Sequence, residues 1–534
     1  MFNLLTDPWL PAVRQRSGRC VIRPAQITDS IADDPVIAID WPRADLRIAT
    51  LELLIGLLAT ACPPRDPDAW LESWFDPPDP ATLDAAFAPI AHAFALDGEG
   101  PRFLQDFEDL VSDPEPVARL LIEAPGASTE HNNTDLLVRR GRVSALGRAA
   151  AAITLFTFQS WAPSGGAGNR TGLRGGGPLT TLVVPGASPS LWRTLWANVP
   201  CGATPAYNDL PLVFPWLTST VTSEGARTVT PETSHPLQCW WGMPRRVRLD
   251  FVTLLEPRAC DLTGVPDVVQ VVSWRQRPRG ANYAGWGRVH PLSPHYTLRE
   301  GGEWLSLHPQ PGGIGYRHWL GLVMRNPDGL RLPAAAIGTW RNDRVVVAQA
   351  GEARLIAAGY DMDNMKARAF VESEMPLPAA RDKDLQKSLD ALAARLVRAA
   401  DQVAGLLRGA VRAALFSSGA TVKFDAETLV SVRERLWEQT EQDFFGALAH
   451  ITGATSSAEA ECVVWLKKLR TAALALFDEV APLAPESGSA APRISRARRH
   501  LMFALTGYGK DGAALFEILQ LAAVESKAKK RKAA

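Results

Sequence analysis

Near residue 378 the chain changes character. Of its 17 Trp, 41 Gly and 41 Pro, 15, 32 and 37 respectively lie before that position. Gly and Pro interrupt regular elements and shape turns, so the first part must consist of short elements joined by many loops. The remainder, poor in both, is free to form long helices. The expectation is an α+β chain of two domains: residues 1–377, a large and irregular mixed α/β domain, and residues 378–534, an all-α four-helix bundle. A length of 534 residues accommodates two full cores.

Local patterns fill in this division. In the first part, Leu46–Ala61 and Ala145–Ser160 read as helices. Pro178–Val184, Asp267–Trp274 and Asp343–Ala348 read as strands rich in β-branched residues. In the second part, Leu385, Leu389, Leu392 and Leu396 recur at helical spacing and make one apolar stripe. Ser417, Ser418 and Gly419 stop that helix. A second runs from about Asp425, a candidate N-cap, to Ile451, and Gly453 ends it. Ser456 and Glu459 match a capping box that opens a third, with Leu466, Leu469, Ala473 and Phe477 inward. The link Pro482–Pro492 precedes a fourth, Arg493–Thr506, with a continuation past Gly507–Gly512 to Val524. The tail holds Lys527, Lys529, Lys530, Arg531 and Lys532, a basic run expected to be solvated.

Charge and motif content exclude several classes. Lys+Arg and Asp+Glu both number 57, so the chain is not a generic nucleic-acid-coating protein. Residues 1–377 carry 34 cations and 39 anions, a net of −5; residues 378–534 carry 23 and 18, a net of +5. Any contact with phosphates must then be local. The longest apolar run, Leu51–Cys62, is too short to span a bilayer and carries Glu52, so no membrane partner is expected. The N-terminus has no basic, apolar leader, and Cys20, Cys62, Cys201, Cys239, Cys260 and Cys462 are far apart with no CxxC. These features point to a cytoplasmic protein with reduced thiols and no metal. HExxH, GxSxG and GxxxxGK[ST] are absent, which favours binding without a cofactor over catalysis. A triad assembled from distant segments would be invisible, so an enzyme stays as a rival reading.

Three constellations stand out. Pro163–Gly177 holds seven Gly among fifteen residues, with Arg170 and Arg174. Gly lets a backbone approach a partner closely, and guanidinium forks suit phosphates and base edges. A flexible surface loop is the bland alternative, and a nucleotide-phosphate cradle for a nucleotide-dependent enzyme is a third. Ala358–Arg368 sets Asn364 and Met365 among turn-formers. An apolar and amide tip of that kind can wedge into a duplex, or the two Met can simply cover a core. In Trp274–Trp286, Arg275, Arg277 and Arg279 alternate, which on a strand would put them on one face, although Pro278 argues for a loop or edge. Their role is either phosphate contact or a solvated edge.

Together these segments resemble the CasA family, the large subunit of the type I-E CRISPR surveillance complex Cascade. The opening Phe2–Pro11, the run Ala149–Gln159 leading into Gly172–Gly176 and Pro178–Thr181, and the string Gly359–Lys366 carry the resemblance, which spans nearly the whole chain. It implies a non-catalytic subunit that joins crRNA and the other Cascade subunits. Such a subunit inspects double-stranded DNA for a protospacer-adjacent motif (PAM) from the minor groove, helps open the duplex, and recruits a trans-acting helicase-nuclease. The implied glycine loop is Ser164, Gly165, Gly166, Ala167 and Gly168, with Asn169 and Arg170 following. Some members have Gly at the places of Ser164 and Ala167. The implied wedge is Asp363, Asn364 and Met365, with Lys366 next; some members have Gln where Asn364 stands. The basic finger falls at Arg277 or Arg279. At the place just before it where some members carry a cysteine cluster this chain has only Cys260, so no zinc is expected. The loop Thr129–Arg142, with His131, Asn132, Asn133, Arg139 and Arg140, resembles the segment that docks on the complex and its RNA end. Bundle cations Arg493, Arg496, Arg498 and Arg499 are further candidates for the DNA backbone. A pure scaffold, with the glycine tract as a linker, is the remaining rival.

Overall fold

The structure, a computed structural model, describes residues 1–135, 139–166, 168–186, 190–349, 352–380, 382–416, 427–453, 455–483, 488 and 490–522, with Ala127 through its backbone only. They fall into two compact units: residues 1–313 with 330–374, and residues 314–329 with 375–534.

The first unit is mixed α/β. Its central helix, Ala44–Ala61, is apolar on every side and buried almost throughout, as a helix with no polar face must be. It packs against the helix Arg148–Trp161. The Trp-rich composition is spent on core. Phe94, Phe103, Phe214, Trp216 and Trp241 form one cluster, and Trp192 stacks on Trp196 at 4.8 Å. Aromatic rings supply large buried area in a region too broken by turns for long apolar elements. Leu10–Arg14, Gly18–Ile22 and Val36–Ile39 make a small antiparallel sheet.

Two other sheets position the surface described below. Arg246–Ala259 and Pro266–Arg277 form a long antiparallel pair, with Arg246 opposite Arg277. The short strands Glu115–Pro116 and Leu146–Gly147 pair with the same second strand. Separately, Thr180–Pro185 pairs antiparallel with Ala353–Asp363, Thr180 facing Ala358, and that strand pairs in turn with Lys366–Pro376. The expected strands at Pro178–Val184 and Asp267–Trp274 therefore exist, slightly displaced or extended. Asp343–Ala348 is not a strand: Trp340–Arg344 is a π-helical turn that runs into a helical turn, Val345–Val347. Trp340 is fully buried, and the buried Arg344 guanidinium donates to Ala197 O (3.0 Å) and Val199 O (2.8 Å). Those anchors outweigh the fractions of a kcal/mol by which valines favour a strand.

In the second unit a helix of 33 residues, Lys383–Leu415, packs against Glu427–Thr452, Ala458–Val480, Ala491–Leu505 and Gly509–Leu519. Leu389, Leu392 and Leu396 of the stripe are buried. The stop at 417–419, the cap at Asp425, Val524 and the basic tail lie outside the described residues. The third helix starts one residue later than its capping box implied. Ser457 is the N-cap and accepts from Ala460 N–H (3.2 Å). That register turns Glu461 to His450 (3.0 Å) and Cys462 and Trp465 into the core. The fourth helix does not continue to Val524. It ends at Leu505, Gly507 turns at φ 90°, and a separate helix opens at Gly509. A Cβ at Gly512 would stand 2.6 Å from the Gly507 carbonyl carbon, so the turn closes too tightly for a side chain there. The unit also draws its aromatic centre from residues 314–329. Tyr316 stacks on Phe444 (4.6 Å) and meets Trp437 edge-on (4.8 Å), its hydroxyl meets Thr440 Oγ1 (2.6 Å), and Trp319 packs on Phe444.

Candidate nucleic-acid interface

The helix Arg148–Trp161 ends where Ala162 N–H donates to Phe158 O, and the glycine loop leaves from that end. Gly166 (φ 65°) and Gly168 (φ 80°) take left-handed conformations that side chains resist. Asn169 N–H closes the turn on Gly166 O (2.7 Å), and Ser164 Oγ donates to Asn169 O (3.3 Å). Ser164, Gly165, Gly166 and Gly168 are exposed; Asn169 and Arg170 are half-buried; Ala167 lies outside the described residues.

The loop is joined to the end of the arginine strand. Arg279 N–H donates to Gly168 O (3.0 Å), and a Cβ at Gly168 would lie 3.3 Å from Arg279 Cγ. Ser223 links both neighbours: its N–H donates to Arg279 O (3.0 Å) and its hydroxyl accepts from Arg170 Nε (3.3 Å). The strand stops at Arg277, and Arg279 bends off it at φ 63°, so the three arginines do not share a strand face. Arg275 is half-buried and ion-paired with Asp250 (3.2 Å). Arg277 and Arg279 are exposed. Arg277 donates weakly to Val111 O (3.4 Å), and Arg279 lies 3.6 Å from an equally exposed Glu224.

The segment around Asn364 is the tip of a β-hairpin. Ala353–Asp363 and Lys366–Pro376 are joined by two residues, Asn364 (φ 45°) and Met365 (φ 63°). Paired positive φ values mark a type I′ connection, whose twist matches that of the flanking strands. Asp363, Asn364, Met365 and Lys366 are all exposed, Met365 by 54%. Below them Arg368 pairs with Asp361 (2.7 Å) and lies 3.9 Å from Asp363, which holds the guanidinium above its usual pKa.

The strands of the hairpin pack on the helix end from which the glycine loop leaves. Trp161, the last residue of the helix, stacks on Phe370 (6.0 Å) and meets Tyr360 edge-on (6.3 Å). A Cβ at Gly177 would stand 2.8 Å from both Tyr360 O and Met362 Cε, and one at Gly176 would stand 2.7 Å from Pro163 Cα. Contacts therefore run without a break from hairpin to tract to loop to Arg279. The tract Gly172–Gly177 is packed and is no flexible linker. Arg174, expected to present a free fork, is buried. It pairs with Glu52 and donates to Thr180 Oγ1 (3.0 Å) and Ser293 Oγ (3.3 Å). Glu52, the one carboxylate within the apolar run Leu51–Cys62, was the available sign of that partner. His290 and His295 are buried beside this pair, and burial holds both imidazoles neutral, His295 down to about 4.

The segment 129–142 builds a different place. His131, Asn132, Asn133, Arg139 and Arg140 are exposed. Arg140 grips Asp135 (2.5 Å) and Glu130 O (2.8 Å), drawing the Asp135 pKa down. Arg139 and Arg140 help line a cavity of about 580 Å³ with Arg43, Arg119, Glu123 and Glu130, and no residue of the loop–hairpin cluster lines it. In the bundle, Arg493 is spent on Ala414 O (2.9 Å) and Arg498 on Asp478 (2.6 Å), while Arg496 and Arg499 are exposed. Among the described residues no group of three or more His, Cys, Asp or Glu could hold a metal ion, and no helix is long and apolar enough to cross a membrane.

A solved structure of Thermobifida fusca Cse1 superposes with a TM-score of 0.69 at 18% identity, covering 98% of this chain and 99% of that one. Thermus thermophilus CasA (Cse1) gives 0.67 at 19%, covering 95% and 100%. A chain of a CRISPR RNA-guided surveillance complex gives 0.62 at 17%, covering 94% and 99%. At such identities these likenesses speak for the fold. The family model of CRISPR-associated protein Cse1 matches residues 3–476. The chain belongs to the family of CRISPR-associated protein Cse1.

Proposed function

We propose that this chain is the large, non-catalytic subunit of a crRNA-guided type I-E Cascade complex, and that it reads the PAM of double-stranded DNA from the minor groove. One observation carries the reading: the exposed glycine loop touches the exposed Arg277–Arg279 turn directly, and the helix end and glycine tract that flank the loop pack on the strands of the hairpin whose exposed tip is Asn364–Met365. The minor groove, about 6 Å wide, rejects helices but admits bare backbone and a two-residue hairpin tip. Its hydrogen-bond pattern is degenerate, which suits a reader that tolerates several short motifs. In this division of labour guide pairing supplies sequence, and the protein supplies motif recognition and the start of melting. Met365 serves as the apolar wedge that unstacks a base step, and Asn364 replaces hydrogen bonds of the parted bases. Arg277 or Arg279 supplies the phosphate contact. A neutral chain suffices because crRNA and the other subunits hold the rest; His131, Asn132, Asn133, Arg139 and Arg140 meet the complex and its RNA end. The opened duplex is then passed to a helicase-nuclease recruited to this subunit.

The reading is tested by Arg277→Ala with Arg279→Ala in the assembled complex. Affinity for PAM-bearing duplex falls, and the slope of affinity against salt becomes shallower by about one to two phosphate contacts. Unchanged affinity and slope would remove the finger. Equilibrium binding of ATP or GTP with Mg²⁺ separates the nucleotide-enzyme reading, which has lost Arg174 to the core.

A further inference from the structure

Arg245 is 5% exposed and meets no carboxylate among the described residues. Its Nε donates to Arg170 O (2.6 Å), its Nη2 donates to Pro163 O, and the guanidinium lies over the Phe158 ring at 5.3 Å. Pro163 and Arg170 are the two ends of the glycine loop. The planar fork therefore spans the loop's neck, which a lysine's point charge cannot do. The backbone of Arg245 is itself fixed: its N–H donates to Gln159 Oε1 (3.0 Å), and its carbonyl accepts from Gln159 Nε2 (2.9 Å). The third nitrogen, Nη1, lies 3.0 Å from where a Cβ on Gly165 would stand. A larger residue at 165 would lift the guanidinium off its carbonyls.

Burial with no anion nearby draws the Arg245 pKa down to about 10, so the group is still charged at neutral pH. A buried cation without a counter-charge is costly to keep. Among the described residues, the two loop carbonyls and the face of Phe158 offset that cost.

We propose that Arg245 is the positioning residue of the glycine loop: by clamping Pro163 O and Arg170 O it holds Gly168 O in reach of the Arg279 N–H and so presents loop and finger together. The proposal rests on the duplex-reading role given above and deepens it.

The test compares Arg245→Gln and Arg245→Lys in the full chain, by amide exchange, and in the assembled complex, by affinity for PAM-bearing duplex. In Arg245→Gln, exchange at residues 164–170 rises about tenfold or more, since two charge-assisted bonds are lost. Exchange in the hairpin 353–376 stays as it was, and duplex affinity falls about tenfold by the same loss. Arg245→Lys keeps the charge and reaches one carbonyl, so it falls between; should the Gln variant not fold, the Lys variant carries the test. Loop exchange unchanged in a folded variant would overturn the clamp. Faster exchange with unchanged duplex affinity would support the clamp and overturn the reading of the loop as a duplex contact.

Discussion

Gly166 and Gly177 have nearly the same φ, 65° and 66°, yet different surroundings. A Cβ at Gly166 would meet nothing within 4 Å, whereas one at Gly177 would meet Tyr360 O at 2.8 Å, Met362 Cε at 2.8 Å and Tyr360 Cβ at 2.9 Å. Met362 can swing aside. Tyr360 cannot, because it is 2% exposed and its hydroxyl donates to Asp45 Oδ2 (2.5 Å). Gly166→Ala then costs only the left-handed conformation, about 1–2 kcal/mol. Gly177→Ala incurs the same cost plus overpacking of about 1–3 kcal/mol. The difference between the two variants isolates the contact that sets the hairpin against the glycine tract. It is read by urea unfolding followed at a probe in the first unit, since two units need not unfold together, with amide exchange at 360–366 as the local readout. Equal costs for the two variants, with the hairpin's exchange unmoved, would refute the contact.

Other consequences are independent of that one. Glu52→Gln strands the Arg174 guanidinium in the core and destabilises by about 3–5 kcal/mol, while Glu52→Leu with Arg174→Met costs far less; thermal or urea unfolding of both decides. His295 titrates near 4 when folded, against 6.5 for a free imidazole. The unfolded chain therefore binds the proton first, and stability is full above pH 6.5 and falls by about 3 kcal/mol as pH drops toward 4. His295→Gln flattens that part of the profile. Met365→Gly relieves a left-handed methionine and stabilises the first unit by up to about 1 kcal/mol. On the proposed reading the same change removes the wedge, and target opening by the assembled complex is expected to slow.

The long helices were legible because their apolar stripes repeat at one period: Leu389, Leu392 and Leu396 face the bundle core as their spacing requires. The hairpin was legible only at its tip. Its strands, Ala353–Asp363 and Lys366–Pro376, are rich in Ala and charge, and they are strands because Thr180–Pro185 and the rings of Trp161 and Phe370 hold them there. Arg245 gave no local sign at all. Its role needs Pro163 and Arg170 brought to it across 75 or more residues of chain. The same holds for Tyr316 and Trp319, which lie before the change in composition yet form the aromatic centre of the helical unit.

The most direct test of minor-groove reading alters one groove and spares the other. Replacing guanine by inosine in the motif removes the 2-amino group, the only donor that distinguishes G·C from A·T in the minor groove, and leaves the major-groove edge intact; 7-deazaguanine does the reverse. For the assembled complex, inosine should change duplex affinity by about 1–3 kcal/mol per contacted pair, 7-deazaguanine should leave it unchanged, and the inosine effect should vanish in a Gly168→Ala, Asn364→Ala variant. Sensitivity to 7-deazaguanine, with indifference to inosine, would contradict the account.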